Sequence, residues 1–156
     1  MKIIYLDIFQ YDIDRVDSVF YAYVNGQAFP DDKWTDLPLS VLSMWIWNIK
    51  ENYLLPKSEF LLYFMDGPFY ITCVKDGNLI HMKFIDNHYD EEKIVNECDM
   101  SFNELIEEIL SATTNIITDI EAMKIKKVYD LKELKKSLKT LKKIQHERET
   151  FKNQDT

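Results

Sequence analysis

The residues from Phe60 to Ile85 constrain the fold of this chain more than any other stretch. Phe60-Leu-Leu-Tyr-Phe-Met65 and Phe69-Tyr-Ile-Thr-Cys-Val-Lys75 are rich in aromatic and β-branched residues and flank Asp66-Gly67-Pro68. Asp can close such a turn with its side chain, Gly tolerates positive φ, and Pro fixes φ without donating to a ladder. A second turn, Asp76-Gly77-Asn78, leads into Leu79-Ile-His-Met-Lys-Phe-Ile85. Three strands joined by tight turns predict an antiparallel meander at the centre of a sheet.

The remainder supplies more strands and three helices. Ile3–Phe9 reads as a strand with Ile4, Leu6 and Ile8 on one face and Tyr5, Asp7 and Phe9 on the other. Asp12, Asp14 and Asp17 mark a polar connection to a strand over 18–24, and Asn25-Gly26 is a hairpin signal with a short return arm ending at Pro30. Asp31-Asp32-Lys33 reads as exposed loop. Asp36 before Leu37-Pro38 predicts a helix start, and Leu39, Leu42, Trp45, Ile46, Ile49 and Tyr53 keep helical spacing until Pro56. Trp45 is expected on the sheet and Trp47 on a flank.

Lys93–Cys98 reads as a fourth, polar edge strand after the loop Asp86–Glu92. Ser101-x-x-Glu104 is a capping box opening a long apolar-striped helix, with a bend expected at Thr113-Thr114-Asn115. A second box, Asp130-x-x-Glu133, opens a last helix with Leu131, Leu134, Leu138 and Leu141 on one stripe and a frayed polar end from Glu147. The fold class expected is α+β: an antiparallel sheet of five to seven strands, with helices packed mainly on one face and a Lys/Leu-rich C-terminal helix. The division expected is an α+β domain over 1–125, an amphipathic helix over 126–150 and a tail over 151–156.

Charge is divided along the chain. Residues 1–120 hold 8 Lys/Arg against 21 Asp/Glu, whereas residues 121–156 hold 11 against 6, within a net charge of −8. An acidic body repels nucleic acid and attracts cationic partners, although solubility alone also accounts for such a charge. The apolar run at the N-terminus breaks at Asp7, and no segment reaches the roughly 18 apolar residues of a membrane span. Two cysteines are too few for a disulfide scaffold. A cytoplasmic chain without membrane contact is expected.

No constellation of catalytic residues is present. His81, His88 and Cys98 lack the spacing of a metal site, no nucleophile elbow occurs, and three scattered glycines make no phosphate-cradling loop. No catalytic residue, metal or cofactor is therefore expected. The C-terminal lysines, among them Lys126, Lys127, Lys132, Lys135 and Lys139, stand with one arginine and few aromatics, which argues against nucleic acid. What remains is surface: Trp34, Trp47, Tyr53, Tyr63, Phe69, Tyr70 and Tyr89 are more aromatics than one small core needs, and Trp34, Trp47 and Tyr89 beside the acids Asp31, Asp32, Asp36, Asp66, Asp90, Glu91 and Glu92 suit a protein-binding patch. A core role for most of the aromatics is the competing reading.

The succession Val24-Asn-Gly-Gln27, Trp34-Thr-Asp-Leu-Pro-Leu-Ser-Val-Leu42 and Phe64-Met-Asp-Gly-Pro-Phe-Tyr70 resembles small cytoplasmic immunity proteins of bacterial polymorphic-toxin and contact-dependent inhibition systems. The resemblance spans roughly residues 18–110 and rests on turn and cap residues. It implies a non-enzymatic antitoxin that neutralises a cognate, basic toxin domain by binding it; no site residue carries over by motif. The alternative is an adaptor or structural module that self-associates as a homodimer through Leu131, Leu134, Leu138 and Leu141. The lysines flanking that stripe favour docking on the chain's own acidic body over a parallel copy.

Overall fold

A computed structural model describes residues 1–125 and 128–154; Lys126, Lys127 and the last two positions of the expected tail lie outside the described residues. The fold is α+β and antiparallel, with its strands divided between two four-stranded sheets. The first contains β1 (Lys2–Gln10), β2 (Val16–Val24), β3 (Gln27–Phe29) and the short β4 (Thr35–Asp36), with β2 pairing all three others. Helix α1 (Pro38–Asn52) then leads to the second sheet, β5 (Lys57–Tyr63), β6 (Phe69–Asp76), β7 (Leu79–Asp86) and β8 (Lys93–Ser101), ordered as in the chain. The meander read from the sequence is this second sheet, with β6 and β7 inside it and β8 on its edge. The expectation of one sheet missed the division because Pro56 and α1 interrupt the ladder at a place where alternation gives no pairing partner.

Alternation decides what each sheet buries. Phe20, Ala22 and Val24 of the first sheet and Phe60, Leu62, Ile71, Cys73, Met82 and Phe84 of the second enter one core. There Phe29 meets the rings of Phe64, Phe69 and Phe84 edge-on, at centroid distances of 5.3–5.8 Å. Such edge-to-face contacts add to the area removed from water.

Side chains occupy the sheet edges. Asn48 and Trp45 of α1 donate to the carbonyls of Leu61 and Tyr63 on β5, both at 2.7 Å. Asn25 of the first hairpin donates to the Glu97 carbonyl on β8 (2.7 Å). On β1 the Ile3 N–H donates to Glu108 Oε1 (2.7 Å) and the Tyr5 hydroxyl to Asp119 Oδ2 (2.6 Å), both acceptors lying on α2 (Phe102–Ala122). Edge groups held in this way offer less to a stray strand.

β1 departs from the simple alternation read from the sequence. Leu6 pairs with Val19 but Phe9 pairs with Asp17, so one extra residue is inserted, and Asp7 there has φ +52°. The bulge puts Phe9 on the same face as Ile4 and Leu6 and turns Ile8 inward to the core. β2 starts at Val16, two residues earlier than expected. Asp17 is buried within it, taking both Nε and Nη2 donors of Arg15 (2.7 and 2.9 Å).

The helices follow most of their signals. The Ser101–Glu104 box forms as read, with both reciprocal hydrogen bonds. α2 runs unbroken through Thr113-Thr114-Asn115, where Thr114 donates back to the Leu110 carbonyl (2.8 Å). Asp36 does not cap α1: the N-cap is Leu37, without a side-chain bond. Of the expected box at Asp130, the Asp130 Oδ2 accepts instead from Ser40 of α1, a tertiary contact, and Glu133 pairs within the helix with Lys136.

α3 (Leu131–Gln154) packs on α1 and α2 and buries Leu134, Leu141 and Ile144, while Leu131 and Leu138 flank them half-buried. An apolar stripe on an otherwise charged helix explains this docking. The helix does not end at Glu147. Glu147 accepts from the Tyr53 hydroxyl (3.0 Å), and Arg148 donates to Asn103 Oδ1 (2.7 Å) and Asn78 Oδ1 (2.8 Å) while lying over the Phe102 ring. On the same ring lies the ammonium of Lys75, a buried inward residue of β6 that donates to the Leu55 carbonyl. Burial first, then Arg148, lowers the Lys75 pKa.

Candidate acidic loop end

Asp36 organises one end of the molecule from inside. It is 1% exposed and pairs with Ser18 across the β2–β4 ladder. Its carboxylate accepts from Trp34 Nε1 (2.9 Å), the Leu37 N–H (2.7 Å) and the Met65 N–H (3.2 Å). Burial raises its pKa against the pull of those donors and with a contribution from Asp66. Asp36, expected at the surface, is thus an internal strut: a short side chain beside three backbone or indole donors is retained where it satisfies them.

The β5–β6 turn packs on this strut. Gly67 has φ +71°, and a β-carbon there would meet the Trp34 ring at 2.8 Å, so a side chain is excluded on two counts. Trp34 is half-buried and crosses the Phe69 ring at 5.0 Å; Phe69 in turn lies 5.3 Å from the His88 ring. The Asn87 N–H donates to the Pro68 carbonyl (2.9 Å), which ties the β7–β8 loop to the turn. The β3–β4 loop joins through the Trp34 N–H, which donates to the Asp31 carbonyl (3.2 Å).

Around this aromatic line stand Asp31, Asp32, Asp66, Asp90, Glu91 and Glu92, all exposed. Tyr89 is 95% exposed and holds φ +60°, with Asp90 at φ +58° after it. The left-handed region is unfavourable for a bulky residue by about 1–2 kcal/mol, and nothing in its burial compensates. Tyr70 donates to Glu92, and burial together with that bond pushes the phenol up to about 12. His88 Nδ1 contacts Asp86, whose pKa lies below the usual carboxylate range despite its desolvation.

The structure therefore gathers eight of the ten residues singled out in the sequence. Asp36 lies beneath them, and Trp47 lies apart on α1, 56% exposed with the Lys50 ammonium 4.6 Å above its ring. Sequence reading missed Phe69 and His88 as the links between loops. Their periodicity marks a strand and a loop, and only the meeting of two loops gives them a joint role. Arg15 was also missed: it grips Asp17, stacks over Tyr11 at 4.7 Å and lies within electrostatic reach of Asp66.

The Cys73 thiol is buried and its pKa pushed up, so it is a poor nucleophile. Among the described residues no group of three or more His, Cys, Asp or Glu is disposed to hold a metal ion. Nor is any described helix long and apolar enough to cross a membrane. Comparison with protein-family models, curated proteins and solved structures finds no match.

Proposed function

We propose that this chain is a non-catalytic immunity-type protein that binds and neutralises a basic toxin domain in the bacterial cytoplasm, docking it on the acidic loop end. The observation that carries the reading is the convergence of three loops, which sets six exposed carboxylates and the strained, exposed Tyr89 around the packed Trp34–Phe69–His88 line. Carboxylates steer a cationic partner and fix register, while a rigid aromatic supplies contact area at low entropic cost. Held loops lose little freedom on binding, which favours affinity.

The alternative, self-association through the last helix, has less support. Leu134 and Leu141 are already buried against α1 and α2, so a dimer through the four leucines requires α3 to leave the body.

The reading requires a secreted toxin gene upstream of this one. Co-expression with that toxin domain is the test: growth is restored by the wild type, and Asp31→Asn/Asp66→Asn/Glu91→Gln reduces the rescue. Growth arrest that persists with the wild-type chain contradicts the reading.

A further inference from the structure

The outward face of the first sheet is an apolar field that the fold leaves uncovered. The bulge at Asp7 brings Phe9 to the side carrying Ile4 and Leu6, and alternation along β2 adds Val19, Tyr21 and Tyr23. None of these six joins the packed core, and Leu6, Phe9 and Tyr23 are 50%, 41% and 46% exposed. Single exposed apolar residues are ordinary, but six neighbours on two paired strands form the kind of patch that marks an interaction site.

Its border selects the occupant. Asp7 stands at the bulge, Asp12 and Asp14 in the β1–β2 bend, and Asp31 and Asp32 in the loop beside β2, all exposed. Against these five stand Lys2 and Lys33, because Arg15 is neutralised by Asp17. A second copy docking isologously would set these acids against their own images, on a chain of net charge −8. A protein with an apolar patch edged by Lys and Arg meets no such opposition. The face also runs into the acidic loop end, since Arg15 spans from Asp17 and Tyr11 toward Asp66.

We propose that the outward face of β1 and β2 is the apolar half of a docking surface for a cationic protein, and that the acidic loop end is its carboxylate half. This rests on the binding function proposed above. The probe is a fluorescently labelled synthetic peptide of alternating leucine and lysine, titrated against the full chain by anisotropy at low and physiological salt. Leu6→Ser/Phe9→Ser/Tyr23→Ser is expected to weaken binding by about tenfold or more while leaving its salt dependence. Asp31→Asn/Asp66→Asn/Glu91→Gln is expected to weaken it chiefly at low salt and to flatten the salt dependence.

If the face variant binds as the wild type does while the loop variant is impaired, this inference falls and the function proposed above survives. If neither variant differs from the wild type, or the wild type does not bind, both fall. A wild type that sediments as a dimer, made monomeric by the face variant, assigns the face to a second copy and overturns the proposal. Should the triple variant fail to fold by circular dichroism, Leu6→Lys alone carries the same test: repulsion of the peptide supports the proposal and unchanged affinity overturns it.

Discussion

The two sheets present open faces of different character. On the second sheet two central rows across the strands mix types: Glu59, Val74, His81 and Asp99 form one, and Leu61, Thr72, Lys83 and Glu97 the next, while Tyr63, Tyr70, Ile85 and Ile94 make a single apolar row beside the loop end. His81 Nδ1 lies 2.6 Å from Asp99 Oδ1, so these two polar side chains are partnered across strands. On the first sheet, Ile4, Leu6 and Phe9 lie beside Tyr21 and Val19, and the one carboxylate among them, Asp17, is already clasped by Arg15. Both faces satisfy the same ladder geometry and neither is needed for the core. The difference teaches that the mixed rows of the second face are built to stay in water, whereas the first face retains contiguous apolar area that folding does not use.

The widest gap should appear within β2 itself. Phe20 is fully buried among Trp45 and Phe64, and Phe20→Ala should cost about 3–5 kcal/mol in chemical denaturation. Its neighbour Tyr21 points to the open face, and Tyr21→Ala should change stability by under about 1 kcal/mol. Equal losses at the two positions would mean that the first face is packed, and the contrast between the sheets would fail.

The turns of the second sheet sharpen the comparison, since one reaches the first sheet and the other does not. Gly67→Val meets both positive φ and the Trp34 ring, and should destabilise by about 2–4 kcal/mol. Gly77 also holds positive φ (+59°) but has open space around it, so Gly77→Val should cost only about 1–2 kcal/mol. Melting curves that rank the two the other way would separate the β5–β6 turn from the β3–β4 loop.

On the second face, Lys83→Ala should shift stability by no more than about 0.5 kcal/mol and leave partner binding unchanged. A loss of binding there would transfer the docking role to the wrong sheet. The smallest effect concerns the β8–α2 junction. Hydrogen bonds from Ser101 hold the Glu104 carboxyl below its usual value of 4.5. Its contribution is therefore present above pH 4.5 and lost as pH falls through the folded value. The stability difference between the wild type and Glu104→Ala should accordingly shrink on acidification, and a difference that widens there would contradict the cap.

Much of this was legible in the chain. The meander, its edge strand, α1 and the Ser101 cap are local signals, and each formed within a few residues of its reading. The division into two sheets was not legible, because pairing between distant strands leaves no periodic trace. The bulge at Asp7 carries no glycine to announce it, so Phe9 was assigned to the wrong face. Asp36 looked like a cap because carboxylates usually are at that position; its three donors come partly from Met65, which sequence spacing cannot bring near. The acids and Trp34 of the loop end were recognised singly, and the Trp34–Phe69–His88 line that joins them exists only in the fold.

Hydroxyl-radical footprinting of the chain, alone and saturated with the basic toxin domain proposed as its partner, tests the central claim most directly. The account predicts that Phe9, Tyr23 and Tyr89 lose reactivity in the complex while Val74 and Leu79 on the second sheet, also exposed, keep theirs. Protection of Val74 and Leu79, with Phe9, Tyr23 and Tyr89 still reactive, would contradict it.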